Sequence, residues 1–181
     1  PGADDNASGV AVLIELAREL KKKLEPGRSL VFVAFTGEEA GRLGSRHYVD
    51  HEHRYPAEKC VGMLNLDTVG RLVKKKLLVL GAGSAMDWKY IIQAASAATG
   101  VETETVTQTL DSSDQVSFEV AGVPAVQLFS GPHADYHRPS DTPDKIDPEG
   151  LEKAASVAGE VIKYLSAREG ALGGNMKPDI K

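Results

Sequence analysis

Five short apolar runs, separated by helix-forming segments, constrain this 181-residue chain more than anything else in it. Residues 29–35 (SLVFVAF), 61–66 (VGMLNL), 77–80 (LLVL), 101–106 (VETETV) and 125–129 (AVQLF) have the length and the branched or aromatic content of strands. The first is apolar nearly throughout, as expected of a central strand covered on both faces. The fourth alternates and belongs nearer an edge. Residues 7–24 place Val10, Leu13, Ile14, Ala17, Leu20 and Leu24 at helical spacing before a Pro26-Gly27 stop. Further helical segments fall at 44–51, 85–98 and 114–121, and a closing helix runs from about 148 to 166. The alternation predicts an α/β fold: an open, mostly parallel (mixed) sheet with helices on both faces.

One domain over residues 1–168 accounts for this pattern, followed by a glycine-rich polar tail, 169–181, expected to be mobile. A net charge of -5, with only short basic clusters at 21–23 and 74–76, supplies no basic field for nucleic acid or an anionic membrane. No stretch approaches the length of a membrane span. Cys60 is the single cysteine, so no internal disulfide forms, and its apolar setting predicts a buried thiol.

In open sheets of this kind, function gathers at the carboxyl ends of the strands. Thr36-Gly37-Glu38-Glu39 follows the first run, Asp67 the second, and a loop with His133, Asp135, Tyr136, His137 and Asp141 the last; Asp4 and Asp5 precede the first helix. Singly, each has an ordinary reading. An aspartate pair before a helix caps it, acids in a glycine-flanked turn are solvated, and a lone histidine can be a satisfied loop residue. Together they carry oxygen and nitrogen donors to one rim, a set that suits zinc. Clustered carboxylates repel one another, and a divalent cation relieves that repulsion.

Five segments resemble, in order, the motifs of the M28 family of zinc-dependent exopeptidases, the co-catalytic dizinc aminopeptidases. They are GADDNASGV (2–10), FTGEEAGRLGS (35–45), NLDTVG (65–70), SDQVSF (113–118) and DYHRPSDTPDKI (135–146), and they span nearly the whole chain. The resemblance implies a phosphorylase/hydrolase-like zinc exopeptidase architecture and hydrolysis of the N-terminal bond of peptide substrates. It implies Asp4 as the carboxylate bridging two zinc ions, Glu39, Asp67 and His137 as further metal ligands, and Asp5 behind them, with a cis Asp4-Asp5 peptide. Glu38 matches the general base that takes a proton from metal-bound water, and Tyr136 the donor to the oxyanion. His133 and Asp114 are pocket candidates.

The family also places a histidine, in a His-x-Asp segment, upstream of the bridging aspartate, and no residues of this sequence correspond to it. The expectation is one well-held ion at Asp4, Glu39 and His137, a weak or empty site at Asp67, and low activity for this chain alone. A missing N-terminal segment, or a second copy, would complete the sheet. The family's habits imply a secreted or periplasmic location.

Three rival readings remain at this level. A single-zinc glutaminyl cyclase shares the Asp, Glu, His set, although the aspartate pair and the DYHRPSDT segment favour the peptidase. A non-catalytic binding module of the same fold is the second. The third, a serine hydrolase built on Ser112 or Ser113 with Asp114, lacks a G-x-S-x-G elbow. His51 and His53 form an H-x-H pair in a polar loop and are read as surface residues.

Overall fold

Four of the five apolar runs pair into one sheet. The structure, a computed structural model, describes residues 1–25, 27–108 and 110–173. Strands β1 (Met63–Leu66), β2 (Leu77–Leu80), β3 (Thr103–Val106) and β4 (Ala125–Phe129) lie in the order β1-β4-β2-β3. β1 runs parallel to β4 and β2 to β3, while β2 and β4 are antiparallel, so the sheet is mixed. The alternating run, TETV, is indeed an edge strand. Helices α1 (Gly9–Lys23), α2 (Leu43–His51), α3 (Asp87–Thr99), α4 (Gln115–Val120) and α5 (Pro148–Ala167) complete the described elements.

Strand periodicity separates two cores. Leu66, Leu77, Val79, Val126 and Leu128 face α1, α3 and α5, meeting Val12 and Leu16, Trp88 and Ile92, and Val157 and Val161. The opposite face sends Met63 and Ala125 toward α2 and α4. There Phe35, Tyr48 and Phe118 form an aromatic trio with ring centroids 5.7 to 6.0 Å apart. Ile92 is 1% exposed between α3 and the sheet. Ile92→Val should therefore cost about 0.5–1.5 kcal/mol in a denaturant titration, without altering the fold.

Four expectations are corrected. Residues 29–35 form no strand: they join β1 in lining a cleft of about 510 Å³, and Val31 and Phe32 are exposed. Apolar content made the run a strand candidate, but a strand also needs a ladder partner, and none exists among the described residues. Helix α1 buries Gly9, Val12, Leu16 and Leu20, while Val10 and Ile14 are exposed. Apolar residues surround this helix so widely that packing against α5 and β1, rather than spacing, selects the buried stripe. Cys60 is exposed, its thiol donating to the Gly62 carbonyl at 3.2 Å. The start of the supposed mobile tail is tied down, with Leu172 buried and the Gly173 N–H donating to Asp87 at 2.7 Å; residues 174–181 lie outside the described residues. No helix among the described residues is long and apolar enough to cross a membrane.

Candidate metal centre

The site forms at the shared carboxyl ends of β1 and β4, where the segment before α1 crosses them. Asn6 makes that crossing specific. Its amide donates to the Leu66 carbonyl at 2.9 Å, and its Oδ1 accepts the N–H groups of Gly9 and Thr68. Gly9 must lack a side chain, since a Cβ there would sit 2.3 Å from the Leu66 oxygen. Locked to the end of β1 in this way, Ala3–Ser8 makes one wide turn that is non-helical at Asp5 and Asn6, and α1 follows.

Three candidate ligands converge. His137 Nε2 lies 2.9 Å from Glu39 Oε1 and 3.1 Å from Asp5 Oδ2. One ligand atom from each of Asp5, Glu39 and His137 falls within 4.8 Å of the others, a set of two oxygens and one nitrogen that fits zinc. Glu38 and Glu39 occupy a tight turn closed by the Gly41 and Arg42 N–H groups on the Glu38 carbonyl, at 2.9 and 2.8 Å. Tyr136 stacks on the His137 ring at 3.8 Å between centroids.

Asp4 is not one of the three, contrary to its expected bridging role. Its carboxylate is fully buried behind them, accepting the Gly70 N–H at 2.6 Å and lying 3.2 Å from His133 Nε2 and 3.9 Å from Arg71 Nε. Asp5 is the member of the pair that reaches Glu39 and His137. The cis peptide bond correspondingly lies at Asp5-Asn6, one residue beyond the expected Asp4-Asp5. Asp67 is buried at the end of β1, its Oδ1 accepting the Thr68 hydroxyl at 3.1 Å, and it stands outside the close set of three. His133, a pocket candidate, packs against Asp4 and meets Tyr136 edge-on. Asp114, the other pocket candidate, is buried at the start of α4.

Electrostatics mark the pocket as short of positive charge. Burial, then the neighbouring Asp67, Asp114, Glu39 and Asp5, pushes Glu38 up to about 7. Burial, then Asp67 and Glu39, pushes Asp5 up to about 6 against the opposing pull of His137. Burial likewise raises Asp67 and Asp114. Tyr136 is pushed up to about 12 by burial and by the same carboxylates. Carboxylates that hold protons this tightly will exchange them for a cation.

The sequence alone assigns no role to Arg71, Asp141 or Asn6. A usable signal was present: NLDTVG is followed directly by an arginine, and DYHRPSDTPDKI contains acids beyond those assigned to metal. Opposite charges in two segments that both flank strand ends are candidates for pairing.

Asp5 from the segment before α1, Glu39 from the turn before α2 and His137 from the loop after β4 thus meet at one rim of an open mixed sheet, with a donor set of the kind that holds a divalent metal. The chain belongs to peptidase family M28, whose model matches residues 1–162. It is 35% identical over 179 residues to aminopeptidase YwaD of Bacillus subtilis (strain 168), an alignment covering 93% of this chain and 39% of that protein. Among solved structures, an aminopeptidase from Aneurinibacillus sp. strain AM-1 superposes with a TM-score of 0.80 at 34% identity, covering 95% of this chain and 41% of that one. A zinc aminopeptidase from Bacillus subtilis gives a TM-score of 0.82 at 29% identity, with 98% and 46% covered. This chain thus spans less than half the length of each of these relatives.

Proposed function

We propose that this chain is the zinc-binding catalytic region of an aminopeptidase that hydrolyses the N-terminal peptide bond of peptides. The observation carrying this reading is the convergence of Asp5, Glu39 and His137 beside Glu38, in a pocket where burial and neighbouring carboxylates raise the proton affinity of Asp5 and Glu38. Zinc held by these three residues supplies charge that polarises the scissile carbonyl and acidifies water.

The chain's own groups do the rest. Glu38, shifted to about 7, is matched to accept a proton from water near neutrality and return it to the departing amine. Tyr136, shifted to about 12, keeps its phenolic proton and donates it as a hydrogen bond to the developing oxyanion. Asp5, Glu39 and His137 would hold a zinc ion there.

The test follows two products from the same peptides, free N-terminal amino acid and pyroglutamate, before and after chelation and zinc reloading. Zinc-dependent amino acid release is expected. Pyroglutamate as the sole product would move the reading to a glutaminyl cyclase, and release that survives metal removal would overturn it. Loss of an outer-shell partner typically weakens metal binding about 10–100-fold, so loss of a ligand in His137→Ala should weaken zinc uptake by more than about 100-fold in calorimetry.

A further inference from the structure

Behind the three converging ligands, a line of charges runs from the surface to the backbone of the aspartate pair. Lys145 Nζ donates to Asp135 Oδ1 at 2.6 Å, and Arg71 Nη1 donates to Asp135 Oδ2 at 2.7 Å. Arg71 Nη2 donates to Asp141 Oδ1 at 2.7 Å. The other oxygen, Asp141 Oδ2, accepts the backbone N–H of Asp4 at 2.9 Å and that of Asp5 at 3.1 Å. Asp141 is 1% exposed.

Asp5 needs such an anchor. Its backbone, at φ -107 and ψ 93, is non-helical, so helical hydrogen bonding does not fix the direction of its side chain. One carboxylate that binds two successive amides through one oxygen and a guanidinium through the other sets both the position and the rotation of that segment. Charge-assisted bonds are the strong ones, and each of these three joins an N–H to a carboxylate.

We propose that Asp141, itself oriented by Arg71, is the positioning residue that aims the Asp5 carboxylate at the metal. The inference rests on the zinc reading of Asp5, Glu39 and His137. Although Asp141 lines the same pocket as the three ligands, both of its oxygens are engaged by Arg71 and by the Asp4 and Asp5 amides, so it acts through the backbone of Asp5. A purely stabilising ion pair would behave differently, lowering the stability of the metal-free protein while leaving zinc affinity where it was.

Asp141→Asn keeps the size of the side chain but can no longer serve the guanidinium and both amides as an acceptor on each side. Zinc titration of the metal-free protein by calorimetry should show affinity reduced about tenfold or more, the usual size of an outer-shell effect. Arg71→Lys retains the charge and loses the fork, giving a smaller reduction in the same direction and a second variant if Asp141→Asn does not fold. Ala154→Gly, in the core of α5 and not part of this line of charges, calibrates lost stability without lost positioning. Its zinc affinity should match that of the unmodified protein.

Unmodified protein that takes up no zinc would remove the metal reading and this inference with it. Unmodified protein that binds zinc, alongside folded Asp141→Asn or Arg71→Lys of equal affinity, would overturn the positioning role alone.

Discussion

Glu38→Gln should lower turnover by about 10²–10⁴-fold, the usual contribution of a positioned acid–base group, while zinc binds almost as in the unmodified protein. The two halves of this expectation come from different observations. Glu38 lies outside the close set of Asp5, Glu39 and His137, so neutralising it removes no donor from that set. Its proton affinity is nonetheless raised to about 7 by burial and by four carboxylates, which suits proton transfer near neutrality. Glutamine keeps the shape and cannot take the proton. The loss corresponds to about 3–5 kcal/mol of barrier, and it should appear mainly in kcat, because the proton moves only in the chemical step. A variant with unchanged kcat would refute Glu38 as the base. One that loses zinc and activity together would make Glu38 a ligand instead. Glu39→Gln provides the contrast, since its carboxylate contacts His137 and its loss should first weaken zinc uptake.

These neighbouring glutamates show what a linear reading can and cannot resolve here. Acids following apolar runs pointed to the rim, directly for Asp67 at the end of β1 and only indirectly for Glu38 and Glu39, which follow a run that is no strand. Residue order within a pair was harder. Asp4 and Asp5 are adjacent, and which of them faces Glu39 depends on the turn that Asn6 and Gly9 impose by binding the end of β1, sixty residues away in sequence. Local pattern contains no such distance. The same limit applies to residues 29–35, whose apolar content is strand-like but whose ladder partner is a property of the assembled sheet. It applies again to α1, where Val10 and Val12 are equally apolar and only packing exposes the first and buries the second. Arg71 and Asp141 were hidden for a related reason: each looks like an ordinary surface charge until the fold buries them against one another. Features legible in the chain were those set by local periodicity, the helices α2 to α5 and the edge character of β3. Features fixed by contacts between distant segments were not.

The metal-free protein should become less stable as pH rises from about 4 to about 7, and zinc should reverse that trend. Glu38 and Asp5 have folded-state values of about 7 and about 6, against ordinary values of 4.5 and 3.8. Between the ordinary and the raised value, the folded chain retains protons that the unfolded chain has already lost. Stability contributed by these groups is therefore complete below their ordinary values and is lost as pH climbs through the raised ones. Asp135 and Asp141 work in the other direction. Lys145, Ser140 and Arg71 hold Asp135 below its ordinary value, and in Asp141 the Asp5 amide, Arg71 and the Asp4 amide outweigh the upward push of burial. Their contribution is present above the ordinary value and disappears only as pH falls below about 4. The thermal midpoint of metal-free protein should therefore peak near the lower end of the 4 to 7 window. Zinc binds the deprotonated carboxylates, so its stabilising effect grows over the same interval. At a free concentration 1,000 times Kd it contributes about 4 kcal/mol, which for a chain of this size raises the midpoint by roughly 8–16 °C. Glu38→Gln removes one of the pocket's titrating groups and should flatten the metal-free slope while leaving the zinc shift in place. Melting curves recorded from pH 3.5 to 8, with and without zinc, check both parts. A metal-free midpoint that rises steadily across the window would mean that the pocket's carboxyls are not held protonated by the fold, and would remove the electrostatic argument for a cation there.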